Sequence, residues 1–288
     1  MKQIVVISGK GGTGKTVITA SFAVLAKNKV MVDCDVDAAD LHLLLKPRII
    51  EQHEFKGLPK ASIDHTRCNG CGECVSLCRY GAIIQTGSDN SSVEIDPIAC
   101  EGCGVCKYAC PVEAICMVDN VAGEWYVSET AYGPMVHARL GIAAENSGKL
   151  VTTVRQHARS IAERDGAAYV IIDGPPGIGC PVIASLSGVD LALIVTEPTL
   201  SGIHDMKRVI GVAKHFGVPA ACVVNKYDIN PDNTENIERW CAENRLPVLG
   251  KIPFDLSVTE SITAGLPVVA YADNAVTMEI MKIWERAR

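Results

Sequence analysis

Residues 9–16 read Gly9-Lys10-Gly11-Gly12-Thr13-Gly14-Lys15-Thr16. The octet fits G-x-x-x-x-G-K-[ST], and its flanks supply the context that pattern needs. The aliphatic run within Gln3–Ser8 predicts a strand. Ile18, Phe22 and Leu25 recur at helical spacing and predict a helix over Lys15–Lys27. Backbone N–H groups of Gly11, Gly12 and Gly14 can face phosphate oxygens with no side chain in the way, and the helix start adds the positive end of its dipole. In such a loop the lysine, Lys15, reaches the β- and γ-phosphates, and the hydroxyl of Thr16 holds Mg²⁺. Gly11, Gly12, Thr13, Gly14, Lys15 and Thr16 are the candidate phosphate-binding residues.

Outward from this loop the same rhythm continues. Lys29–Val32 reads as a second strand. From about residue 150 the alternation resumes, with strands at Tyr169–Ile172, Leu191–Val195 and Cys222–Val224 and helices at Ser201–His215 and Thr234–Asn244. Strands alternating with helices of this length predict βαβ units and an α/β fold around a mostly parallel sheet. The composition agrees. Of 288 residues, 48% are hydrophobic and only 5% aromatic, which suits buried aliphatic strands. A net charge of −6 argues against a nucleic-acid partner. No apolar run approaches the roughly 18 residues of a membrane span. The start, Met1-Lys2-Gln3 before Ile4–Ile7, is too short for a secretory signal. The expectation is a cytoplasmic protein without stable membrane insertion.

The segment 58–118 breaks the rhythm. It carries two cysteine quartets, eight of the chain's 13 cysteines. Cys68, Cys71, Cys74 and Cys78 reappear as Cys100, Cys103, Cys106 and Cys110, an offset of 32 residues. Gly70 and Gly72 return as Gly102 and Gly104, and Ala82-Ile83 as Ala114-Ile115. Each copy reads C-x2-C-x2-C-x3-C, the ligand run of two-cluster [4Fe–4S] ferredoxins, in which the fourth cysteine serves the other cluster. That rule assigns Cys68, Cys71, Cys74 and Cys110 to one cluster and Cys100, Cys103, Cys106 and Cys78 to a second. Zinc also uses C-x2-C pairs, but tetrahedral zinc has no need of a triplet plus a distant fourth, twice over. The two copies differ at one point: Pro111 follows Cys110, whereas Arg79 follows Cys78 and sets a positive charge beside the second cluster. The expected organisation is an inserted α+β ferredoxin-like domain at 58–118 within a discontinuous ATPase domain, 1–57 and 119–288. Gly87–Ser92 reads as a loop between the copies, and Trp125–Val127 with Met135–Leu140 as a hairpin leading back to the sheet.

A second lysine inside the loop, Lys10, resembles the deviant Walker A of the MinD/ParA/Mrp ATPases and of the nitrogenase iron protein. Val32-Asp33-Cys34-Asp35 looks like the family's D-x-D, and Val170–Gly177 like its Walker B and switch II. Asn225-Lys226 and Ile252-Pro253-Phe254-Asp255 look like the two elements beside the adenine. With its insert, the chain resembles MinD-superfamily ATPases that carry a ferredoxin domain; Gly133–Val151, with Glu145-Asn146-Ser147-Gly148-Lys149, is similar to them too. The resemblance implies ATP and Mg²⁺ as ligands and a homodimer formed on ATP binding, with Lys10 crossing to the partner's nucleotide. It implies that Asp35 orients the attacking water, that Asp173 serves Mg²⁺ through water, and that Asn225 and Asp255 flank the base. On the residues alone, Asp33, Asp37 and Asp40 compete with Asp35, since any of the four can cap a helix over Ala38–Leu45. Asn225 and Asp255 also fit ordinary strand-end turns.

Cys180 stands seven residues after Asp173, where the nitrogenase iron protein places a cluster ligand shared across its dimer. That protein's other ligand has no counterpart here, so Cys180 reads as a core or helix-start residue, and Cys222 as core. Val276, Ile280, Ile283 and Trp284 share one face of Ala275–Arg288 and predict a packed final helix rather than a membrane anchor. The parts together suggest an ATP-hydrolysing iron–sulfur protein in which nucleotide gates electron transfer to a redox partner not yet identified. Two alternatives are a carrier delivering clusters to an iron–sulfur client protein, and a positioning ATPase whose clusters are structural or sensing.

Overall fold

The computed structural model describes residues 1–86, 92–141 and 147–288. Glu145, Asn146 and residues 87–91 of the Gly87–Ser92 stretch lie outside them. Strand β1 (Lys2–Ser8) is an aliphatic run whose Ile4–Ile7 are wholly buried. It pairs in parallel with β10 (Tyr169–Pro176) on one side and β11 (Leu191–Thr196) on the other. Parallel pairing extends to β2 (Lys29–Asp33) beyond β10, and to β12 (Ala220–Asn225) and β13 (Val248–Ile252) beyond β11. Helix α1 (Lys15–Leu25) follows β1, two residues shorter than the periodicity suggests, because the backbone at Ala26 is already extended.

The full order is β13-β12-β11-β1-β10-β2-β9-β8-β3. Strands β8 (Val121–Thr130) and β9 (Gly133–Leu140) form the expected hairpin, longer than its aliphatic core suggested. Its turn is closed by the Thr130 hydroxyl, which accepts from Tyr132 N–H and donates to the Gly133 carbonyl. The edge strand β3 (Arg48–Lys56) is mostly exposed. Charges at Arg48, Glu51, Glu54 and Lys56 blunt that edge against further pairing. They also hide the strand from a reading by hydrophobic pattern.

The chain divides into two compact units, Met1–His53 with Trp125–Arg139 and Ser147–Arg288, and Glu54–Glu124 with Leu140–Asn146. In the first, the short α2 (Leu41–Leu45), α5 (Ser147–Arg164), α6 (Cys180–Leu186), α7 (Leu200–His215), α8 (Pro231–Glu243), α9 (Leu256–Ala264), α10 (Val268–Tyr271) and α11 (Ala275–Ala287) accompany the sheet. Where the chain leaves and re-enters this unit, Trp125 is sandwiched between His53 and His157 of α5, with ring centroids 4.0 Å away on both sides.

The second unit is a doubled motif. Elements β4 (Lys60–Ile63), α3 (Glu73–Leu77) and β5 (Ile83–Thr86) recur 32 residues later as β6 (Ser92–Ile95), α4 (Val105–Ala109) and β7 (Ile115–Val118). The copies exchange strands: β4 pairs with β7 and β5 with β6, both antiparallel. The paired ends, Ile63 with Ile115 and Ile83 with Ile95, help close a small core that also contains Cys74, Cys100 and Cys106.

Helix α11 buries Val276, Ile280, Ile283 and Trp284, and Trp284 meets Phe22 of α1 at 5.0 Å and Tyr169 at 5.2 Å between ring centroids. Among the described residues no helix is long and apolar enough to cross a membrane. Truncating a buried Trp of this kind costs about 3–5 kcal/mol. Trp284→Ala is therefore expected to lower the unfolding free energy by that amount, read as a lower urea midpoint at an unchanged slope; an unchanged midpoint would contradict the burial of this side chain.

Candidate functional site

The glycine-rich loop leaves the carboxyl end of β1, next to the carboxyl ends of β2 and β10, where open parallel sheets place their ligands. Gly14 closes the loop with φ of 92°. A Cβ there would stand 2.3 Å from the Asn225 amide nitrogen, so both the backbone and the packing require glycine. Asn225 at the end of β12 donates from its amide to the Thr13 carbonyl (2.8 Å) and accepts from Lys226 N–H. It thereby ties the far side of the sheet to the loop.

Lys15 is buried and its Nζ lies 2.7 Å from Asp35 Oδ2. Asp33 and Asp173 face each other as register partners at the ends of β2 and β10. Burial opposes the Lys15 charge, but Asp173 and Asp35 outweigh it and hold the ammonium above its ordinary value. Burial and the neighbouring Asp173 push the Asp33 carboxyl well above the usual carboxylate range. Burial raises Asp173 too, against the pull of Lys15 and of hydrogen bonds from Thr16 and Thr19. Thr19 Oγ1 lies 2.9 Å from Asp173 Oδ1, while Asp173 Oδ2 and Thr13 Oγ1 are buried with no hydrogen-bond partner among the described residues. An unpartnered carboxylate oxygen beside a lysine and two threonine hydroxyls suits a hydrated Mg²⁺ on a phosphate chain.

Asp33 and Asp35 of the D-x-D turn divide the work. Asp33 accepts from Asp35 N–H (3.0 Å) and from Leu41 N–H (3.2 Å), which opens α2. Asp40, at the helix boundary, makes no side-chain cap. With Asp33 holding the turn, Asp35 faces Lys15. Asp255 caps α9 by accepting from Ser257 N–H at 2.8 Å, and it also lines an apolar cavity of about 700 Å³, open mouth included, with Gly12, Gly14, Asn225, Phe254 and Ile262. The cavity opens beside the loop and has the apolar lining that a purine base takes.

Lys10 is held within its own chain. Its Nζ lies 2.5 Å from Glu197 Oε1 and 3.1 Å from the Ser201 hydroxyl. Glu197, which follows β11, also pairs with Lys226 at 3.5 Å. The reading by motif missed Glu197, since nothing near it in sequence marks it. Cys180 is exposed as the first residue of α6, and Cys222 is buried in β12.

In the second unit the eight motif cysteines divide between two cavities. Cys68, Cys71, Cys74 and Cys110 line one of about 280 Å³; Cys78, Cys100, Cys103 and Cys106 line the other, of about 350 Å³, each volume including open solvent. All 13 cysteines of the chain are free of disulfides. Among the described residues no three His, Cys, Asp or Glu side chains converge as ligands of a single metal ion. Four thiols spread around a cavity fit a polynuclear cluster better than one ion, and both cavities have that donor set. Backbone N–H groups already turn to the sulfurs: Ala61 N–H reaches Cys100 Sγ at 3.5 Å and Ala114 N–H reaches Cys110 Sγ at 3.2 Å.

A family model described as the CobQ/CobB/MinD/ParA nucleotide binding domain matches residues 4–268. An uncharacterised protein of Methanocaldococcus jannaschii is 33% identical over 291 residues, covering 99% of this chain and 96% of its own. An iron–sulfur cluster carrier protein of Pyrococcus abyssi is 29% identical over 153 residues, 48% of this chain and 51% of that protein. Among solved structures, the septum site-determining protein MinD of Pyrococcus horikoshii, in complex with Mg-ADP, superposes with a TM-score of 0.57 at 19% identity, covering 99% of this chain and 95% of that one.

Lys15→Met removes the ammonium that three carboxylates face, and breaking such a buried pair costs about 3–5 kcal/mol. Asp33 and Asp173 have folded values above their unfolded ones, so their contribution to stability declines as pH rises above the ordinary carboxylate range. Without Lys15 that decline steepens. Urea unfolding of the nucleotide-free variant is expected to show a larger loss at pH 8 than at pH 5; a pH-independent loss would contradict this electrostatic account.

Proposed function

The chain belongs to the CobQ/CobB/MinD/ParA nucleotide-binding family, and on that premise we propose that it is an ATP-hydrolysing, ATP-dependent homodimer that couples nucleotide state to a two-cluster iron–sulfur module. The observation that carries the reading is the crossed division of eight cysteines over two cavities, three from one copy and the fourth from the other. By that division Cys68, Cys71, Cys74 and Cys110 hold one [4Fe–4S] cluster, and Cys78, Cys100, Cys103 and Cys106 hold the second. Bound clusters supply one-electron chemistry at the low potentials such centres have. We assign the clusters to an inserted domain at 58–118, which lies inside the compact unit Glu54–Glu124 with Leu140–Asn146, and the nucleotide chemistry to the other unit.

At the nucleotide end, phosphoryl transfer asks chiefly for positioning and charge stabilisation. Gly11 to Gly14 and the start of α1 would hold the phosphates, Thr16 and Asp173 would hold Mg²⁺, and Asn225 and Asp255 would border the base. Lys15 and Asp35 hold each other in the nucleotide-free state. As Lys15 turns to phosphate oxygens, Asp35 is released to orient a water. Lys10 must likewise leave Glu197 to reach a second subunit's nucleotide.

A second reading has one observation in its favour: over about half its length the chain is related to a protein named as an iron–sulfur cluster carrier. Against it, Cys74, Cys100 and Cys106 are part of the small unit's core, so releasing a cluster would open that core. Gated electron transfer is the reading we adopt.

Two measurements test it. In an anaerobic EPR redox titration, Mg·ATP is expected to shift the potential of at least one cluster, and Lys10→Ala to abolish both the shift and ATP-dependent dimerisation. Unchanged potentials with intact dimerisation would favour cluster delivery. Separately, a chain with Cys78, Cys100 and Cys103 all changed to Ala keeps the other quartet whole, and is expected to retain about half its iron after reconstitution. If each copy ligated its own cluster, that variant would lose nearly all of it.

A further inference from the structure

The module is built twice from one repeat, so each end serves as the control for the other. This argument rests on the reading that the two cysteine quartets hold clusters. Both ends expose one ligand, Cys71 or Cys103, so access to the cluster does not distinguish them. The rims do. Around the cavity of Cys78, Cys100, Cys103 and Cys106, the side chains of Leu77, Tyr80 and Val105 line the opening and are all about half exposed. Tyr108, one helical turn after Val105, is 89% exposed. At the positions related by the 32-residue offset, the other end has Ala109, Val112, Glu73 and Ser76. There Ser76 Oγ donates to the backbone carbonyl of Glu73, and Arg67 donates to the Val112 carbonyl and lies 3.6 Å from Glu113.

Charge follows the same division. The apolar end carries Arg79 and Lys107, both exposed and neither in an ion pair among the described residues. Their repeat counterparts are Pro111 and Val75. Glu101, which lines the same cavity, has a partner of its own. Large apolar side chains clustered on a surface and rimmed by unpaired charge mark an interaction site. Two unpaired cations call for carboxylates opposite.

We propose that the end of the module over the Cys78, Cys100, Cys103 and Cys106 cavity is the docking face for an acidic one-electron carrier protein. An apolar patch on the carrier covers Tyr80, Val105 and Tyr108, and its carboxylates face Arg79 and Lys107. One electron crosses per encounter. The cluster changes by one oxidation level as the carrier's centre changes by one in the opposite sense, and no bond or proton is exchanged.

The test uses the full chain with its clusters reconstituted, and two probes of opposite charge: an acidic flavodoxin, and a basic cytochrome c. Dissociation constants are measured by calorimetry at low and moderate salt, with iron content determined for every sample. Flavodoxin is expected to bind, and cytochrome c to bind at least tenfold more weakly. Exchange of rim residues for their repeat counterparts, Val105→Glu with Tyr108→Ser, should weaken flavodoxin at least tenfold. Arg79→Gln with Lys107→Gln should weaken it and flatten its salt dependence. Glu73→Gln with Ser76→Ala, at the opposite end, should leave it unchanged. A fully iron-loaded chain whose affinity ignores the rim substitutions, or responds equally at both ends, overturns the docking inference alone. So does sedimentation as a nucleotide-independent dimer that Tyr108→Ser dissociates, because the occupant is then a second copy. A chain that takes up no iron overturns the cluster reading and the docking inference with it.

Discussion

One buried ammonium set against three carboxylates governs the nucleotide half of this molecule. Parallel pairing of β2 with β10 puts Asp33 opposite Asp173, and Lys15 reaches in from the start of α1 to Asp35. The arrangement is short of positive charge. It meets the deficit partly through raised Asp33 and Asp173, and leaves one oxygen of Asp173 without a partner among the described residues. Unpaired negative charge is costly in a buried site, and a divalent cation relieves that cost directly. The site is thus most comfortable when Mg²⁺ and phosphates arrive together, and the nucleotide-free ion pair of Lys15 with Asp35 serves as its resting state.

The second unit obeys a different constraint. A unit of this size has little core from which to fold, and here that core mixes a few aliphatic residues with cysteines: Ala61, Ala82, Ile83, Val93 and Ile115 beside Cys74, Cys100 and Cys106. Disulfides do not staple it. Strand exchange between the copies sets the fourth cysteine of each beside the triplet of the other, so a cluster in either cavity cross-links both halves. On the proposed reading, ligation and folding of this unit would be one event.

What could be read from the residues was local in sequence. The phosphate loop, the cysteine spacing and the aliphatic strands all follow short-range rules, and the 32-residue offset survives element by element in the structure. Each of the two cavities draws three of its cysteines from one copy of the repeat and the fourth from the other. What escaped was long-range or unpatterned. Strand β3 carries charges on an exposed edge and so shows no clean alternation. Glu197 is recognisable only once β11 is set beside β1, because its partner Lys10 is 187 residues earlier (197 − 10). The role of Asp33 needed the geometry of the turn: by sequence any of four aspartates could cap α2, and Asp33 is the one that accepts the Leu41 N–H.

Within the nucleotide unit, a contiguous set of contacts runs from β10 to the points where the chain leaves and re-enters that unit. β10 runs through Asp173 to Pro176, and α6 begins four residues later at Cys180. Arg155 of α5 donates to the Ala184 and Ser187 carbonyls at the far end of α6, at 2.6 and 2.7 Å. Two residues on, His157 of the same helix stacks on Trp125, which stacks in turn on His53. His53 and Trp125 are the last and first residues of the nucleotide unit on either side of the excursion. Side chains packed at this density do not deform gradually. Any displacement of α6 would therefore either carry α5 and the stack with it or break this defined set of contacts.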